Sequence, residues 1–186
     1  SMEDVGSSNE SPFMERSPAQ ALAPGFGVGL AGVYQGRDFA ISGGYFGDAI
    51  DAEDNIQAEK GKGVTARATW SPIEGKNGTL HLGVGLDRRD FSSNAVRLIS
   101  TSPEASLAPT ILSTGGLANP DSSTSYNLEG GYSAGPLLLQ GQYMSTTLSR
   151  SAGSNLTFDG GYAQIAWVIS GERHGYSTAT GAFSSP

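Results

Sequence analysis

Apolar side chains occupy every second position through seven stretches of this chain, and the segments joining those stretches alternate between short and long. A period of two puts successive side chains on opposite faces of a strand, whereas a helix would need a period near ~3.6. The first stretch carries Phe26, Val28, Leu30 and Tyr34 in one parity, with Gly27, Gly29 and Ala31 between them. It resumes after residues 35–38 as Phe39, Ile41, Gly43 and Tyr45, which reads as a hairpin. A third stretch runs through Val64, Ala66, Ala68 and Trp70, and a fourth through Leu80, Leu82, Val84 and Leu86. Tyr126, Leu128 and Tyr132 mark the fifth, and Leu137, Leu139 and Tyr143 the sixth. In the seventh, Phe158, Gly160 and Tyr162 share one parity while Ile165, Trp167 and Ile169 share the other, a change of phase that predicts a bulge.

The connections are short at 35–38, 72–78 and 133–136 and long at about 48–62 and 92–122. Short turns at one end and long loops at the other are the pattern of outer-membrane barrels, whose strands need only about ten residues to cross. Tyr34, Trp70 and Tyr132 each sit where a strand enters a short turn, the place of an interfacial aromatic girdle. The opposite parity holds Thr65, Arg67, Thr69, His81, Asp87, Asn127, Glu129, Gln140 and Gln142. That face is too polar for a dry core, because a buried polar group left unpaired costs about 1–3 kcal/mol. The pattern therefore predicts an all-β, antiparallel sheet with an apolar outer face and a wet inner one. The alternative is a soluble or surface β-sheet binding module whose polar face is simply the outside and whose long loops hold a ligand.

Composition narrows the classes further. Hydrophobic residues make up 37% of the 186 and charged residues 16%, and 27 glycines supply much of the rest, a balance that suits strands and turns better than helices. The net charge of -7 argues against nucleic acid as a partner, since phosphate backbones need clustered cations. With no cysteine, neither a disulfide framework nor a thiolate metal site is available. No apolar run approaches the ~20 residues of a membrane-spanning helix.

Motifs that could carry chemistry read as structure. "GVGLAG" has the glycine spacing of a dinucleotide-binding turn, but it lies within a strand pattern with no helix after it. The acidic run "GDAIDAEDN" lacks the spacing of a calcium loop and reads as a solvated loop. Asn77 and Asn155 match the glycosylation sequon, which a bacterial barrel leaves unmodified. Only two histidines, His81 and His174, are present, with no serine-hydrolase elbow, so an enzyme is not expected, nor any cofactor or metal. "SPFMER" by itself reads as one capped helical turn, with Ser11 as cap, Pro12 in first position and Arg16 solvated.

Ser7, Ser8 and Asn9 followed by Phe13, Met14, Glu15 and Arg16 resemble the inward-folded loop of the phosphate-selective porins O and P. Near the other end, Ser170, Gly171, Glu172, Arg173, Tyr176, Gly181 and Phe183 are similar to that family's strand-exit motif. The resemblance implies a homotrimer of 16-stranded transmembrane barrels in the bacterial outer membrane, with short periplasmic turns and long extracellular loops. It implies contact with outer-membrane lipid and lipopolysaccharide, and diffusion of small anions such as inorganic phosphate down their gradient. Residues 1–25 would then be the constriction loop and 26–186 about seven strands, part of a larger barrel. Ser7 and Ser8 would offer hydroxyls to a passing anion, Arg16 would hold the positive field, and Arg67 and Arg97 would extend it along the wall. Asp4 stands where the family pattern has a lysine, and Ser100 and Ser102 stand where ladder arginines would be, so Asp4 is expected to temper selectivity. The tail from 170 to 186 does not alternate, although strict alternation predicts a short turn after Ile169.

Overall fold

The computed structural model describes residues 16–23, 27–49, 61–75, 77–91, 96–97, 99–101 and 109–186. Its frame is one seven-stranded antiparallel sheet formed by β1 (Gly27–Gln35), β2 (Phe39–Ala49), β3 (Gly61–Gly75), β4 (Gly78–Phe91) and three later strands. Four two-residue strands intervene: β5 (Val96–Arg97), β6 (Ser100–Thr101), β7 (Leu112–Ser113) and β8 (Leu117–Ala118), with β5 paired to β8 and β6 to β7. The frame resumes with β9 (Pro120–Ala134), β10 (Leu137–Arg150) and β11 (Leu156–Trp167), and β12 (Tyr176–Ser177) and β13 (Ala182–Phe183) form a separate small hairpin. Each frame strand pairs with its predecessor in the frame, so among the described residues β1 and β11 are the two edges.

The register brings the alternating residues into rows across the sheet. Tyr34 faces Ile41, Ile41 faces Ala68, Ala68 faces Val84, and Val84 faces Leu128. This outer face exposes large apolar side chains that a water-facing sheet would hide, among them Leu30 at 86% and Trp167 at 74%. The inner face is the reverse, burying His81, Glu129, Asn127 and Gln142. Such an inversion suits lipid outside and a polar interior, where every strand backbone must be paired. The aromatic row is present at the short-turn end, with Trp70 paired opposite both Phe39 and Leu82 and Tyr132 opposite both Leu80 and Leu139. The Trp70 indole N–H donates to Asp38 Oδ2 at 3.2 Å, giving the ring its wet edge.

Two expectations need correction. No bulge interrupts β11, whose pairing with β10 runs without a shift from Leu137↔Trp167 to Leu148↔Leu156. Phe158 and Tyr162 point inward instead, and Phe158 does so because an apolar segment waits for it there. The turn expected over 72–78 is tighter than that: β3 continues to Gly75 and pairs with β4 up to Gly75↔Gly78. The register shift between Trp70 and Ile73 absorbs Pro72, which has no N–H to give the ladder. Strict alternation of loop lengths also ends at 151–155, a five-residue connection on the long-loop side.

Candidate functional site

Among the described residues, segments outside the wall lie against both halves of the inner face. Toward the long-loop end, a short 3-10 helix, Pro18–Leu22, begins at Ser17, whose Oγ accepts from the Ala19 N–H at 3.1 Å, and Pro18 supplies the fixed φ of the first turn. Leu22 and Ala19 pack with Met144, Ile99 and Phe158, the one apolar cluster among the described residues. Gly160 makes the approach possible, since a Cβ there would sit 3.2 Å from both Ala19 Cβ and Leu22 Cδ1. The Thr146 hydroxyl donates to the Leu22 carbonyl at 3.2 Å and also meets Ser125 Oγ at 2.9 Å. Arg16 precedes this anchored helix by two residues. A cleft of about 70 Å³ lies beside Leu22, with Arg67, Asp87 and Asn127 on its wall side.

Toward the short-turn end, the tail after β11 folds back onto the wall. Gly181, at φ +56°, turns β12 back into β13, and its N–H donates to Ser177 O at 2.7 Å. Phe183 lies over Gly131, where a Cβ would come within 2.5 Å of the ring. Tyr176 and Phe183 have ring centroids 5.1 Å apart, and His81 of β4 completes the group at 5.7 and 6.2 Å. His81 Nδ1 and Tyr176 OH are 2.8 Å apart. Burial pushes the Tyr176 phenol up to about 12, so it stays neutral at any ordinary pH. Glu74 accepts from Thr178 and Ser71 at 3.2 and 3.3 Å, and Arg173 donates to Gly75 O at 2.8 Å.

One of the wall's cations, Arg67, is matched by a carboxylate. Arg67 donates from Nε to Glu129 Oε1 at 2.5 Å, from Nη1 to Thr180 O at 2.6 Å and from Nη2 to Gly181 O at 2.8 Å. The guanidinium expected to extend a positive field thus has a carboxylate of its own. Asp87 accepts from Thr65 Oγ1 at 2.6 Å and faces the same side as Arg89. Arg89 is buried, and its Nη1 has no partner among the described residues. Sequence reading passed over Arg89, although carrying the parity of His81 and Asp87 one step further along "DRRD" reaches it. Of the other candidates, Arg97 lies in β5, paired opposite Leu117. Asp4, Ser7 and Ser8 lie outside the described residues. Among the described residues no three histidines, cysteines or carboxylates converge as a metal site.

A sheet that is apolar outside, polar inside and lined on its inner face by folded segments has the build of a transmembrane barrel wall. The family model described as phosphate-selective porin O and P matches residues 1–186, and the chain belongs to that family. Proteins of this family reside in the outer membrane and are not enzymes, which displaces the reading of a soluble binding module. No curated protein matches the chain. Membership also implies an anion channel of the outer membrane.

Proposed function

We propose that this chain forms one side of a 16-stranded barrel, assembled as a homotrimer among outer-membrane lipid and lipopolysaccharide, whose lumen passes small anions such as phosphate down their gradient. The observation that carries the reading is the anchored segment on the inner face. Leu22, packed with Met144 and Phe158 and held at its carbonyl by Thr146, fixes the chain soon after Arg16 on the side where ions would pass. Arg16 is the selectivity residue, because its guanidinium stays charged and its fork of donors matches phosphate oxygens. Ser7 and Ser8 add hydroxyls to the same constriction, Asp4 opposes it, and Arg97 and Arg89 contribute charge on the long-loop side. Arg67 adds little to the field at a distance, since Glu129 lies against it. In a narrow, partly desolvated pore the balance of charges along the path decides which ions enter.

The test is the zero-current potential of the full-length protein in a planar bilayer under a salt gradient. The expected sign is that of an anion-selective channel, with Arg16→Ala lowering the anion-to-cation permeability ratio. A cation-selective wild type, or an Arg16→Ala variant with an unchanged ratio, would refute the assignment.

A further inference from the structure

We propose that Arg67 and Glu129 are a positioning pair: they clamp the tail 173–184 onto the inner wall, and the opening at the short-turn end is set by that clamp rather than by anion binding at Arg67. All three guanidinium nitrogens are committed, one to a carboxylate and two to successive backbone carbonyls at Thr180 and Gly181. The tail presents those two carbonyls together because Gly181 adopts φ +56°, a conformation that a side chain there would resist and that Thr69 leaves no room to decorate. On the wall side, the Glu129 side chain has no exposure and that of Arg67 only 12%. The second oxygen of Glu129 has no partner among the described residues, so Arg67 is its only charged neighbour in bonding range there. Removing either member would leave the other's charge in a desolvated place, which is why such a pair is hard to break one side at a time.

Of the tail's other polar anchors, the contact between His81 and Tyr176 is part-buried and two are wetter. Arg173 to Gly75 and Thr178 to Glu74 are exposed contacts, which water competes for and which hold less firmly. The Phe183 ring over Gly131 supplies apolar contact but does not fix direction, whereas the fork of Arg67 binds two adjacent carbonyls and so fixes the turn in place. Lysine could not reproduce this, having one nitrogen where arginine places three.

The chain has no cysteine, and Ala182 is only 5% exposed in the seated tail, so Ala182→Cys in the full-length protein reports seating through its rate of thiol modification. Arg67→Ala and the near-isosteric Glu129→Gln should each raise that rate by about tenfold or more, the effect of losing one charge-assisted bond or its charge. Arg67→Lys should recover little of the protection. Channel recordings give a second readout, which rests on the barrel reading proposed above. The two substitutions remove charges of opposite sign, so a field effect would move the anion-to-cation permeability ratio in opposite directions. A clamp makes both raise single-channel conductance together. Labelling rates within twofold of the parent for both Arg67→Ala and Glu129→Gln, or opposite shifts in selectivity with unchanged labelling, would overturn the proposal. If Arg67→Ala fails to assemble, Glu129→Gln, which keeps the side-chain shape, decides alone. The labelling result stands whether or not the channel proves anion-selective.

Discussion

Leu22→Ala separates the inward segment from the wall without touching the strand ladder. The substitution removes three carbons from a side chain that is 7% exposed, which forfeits about 2.4 kcal/mol of transfer free energy at ~0.8 kcal/mol per carbon. The cavity term should be small, because Leu22 borders a cleft into which neighbours and water can relax. The total is therefore placed at about 2–3 kcal/mol, the low end of the range for leucine truncations. That lowers the seated-to-released ratio of the segment by roughly a hundredfold. Since the helix begins two residues after Arg16, release should widen the channel and move the guanidinium off its station. Recordings of the full-length protein in a planar bilayer should show higher single-channel conductance and a reduced anion-to-cation permeability ratio, with the amount of assembled protein in the membrane unchanged. Gly160→Val, which crowds the same contact from the wall side, should have the same effect. Unaltered conductance and selectivity in both variants would refute the argument that this cluster holds the constriction.

Three further outcomes follow from the geometry. On the outer face, Val84→Arg should cost about 2–4 kcal/mol of folding stability in lipid, whereas Gln140→Lys on the inner face should be near neutral; denaturant titration of the reconstituted protein distinguishes them, and equal effects would place both residues in water. Thr146→Val should loosen the inward segment by about 1–2 kcal/mol through the lost bond to Leu22 O, read as a smaller version of the Leu22→Ala phenotype. The raised phenol of Tyr176 stabilises the seated tail fully below its ordinary value near 10, and this contribution is lost as pH climbs from there through about 12. Labelling at Ala182→Cys, compared with a free-thiol control at each pH, should accelerate across that window, and Tyr176→Phe should abolish the added dependence on pH.

Parity did most of the work that the sequence could do. Leu82, Val84 and Leu86 alternate with His81, Gly83, Gly85 and Asp87, and the structure keeps that division across the sheet because a strand offers its side chains only two directions. The same rule would have found Arg89. It failed at Phe158, where an aromatic residue broke the apolar-out pattern and suggested a bulge. The inward direction of Phe158 is a response to Leu22 and Ala19, more than 130 residues earlier in the chain, which no local pattern contains. Ser17 and Pro18 carry a cap signal of the same kind as Ser11 and Pro12, whose expected turn lies outside the described residues.

By itself the sequence determined the β architecture, the inside-out polarity and the family, since these rest on residue periodicity and on motifs a few residues long. Only the tertiary structure decided what the charged inner residues do. Arg67 looks like an open cation in its own strand, but its partners are Glu129, 62 residues away, and the Thr180 and Gly181 carbonyls, 113 and 114 residues away. The net field of a wall depends on which charges meet, and charges meet through the sheet register and the folded-back tail, neither of which is written in the spacing along one strand.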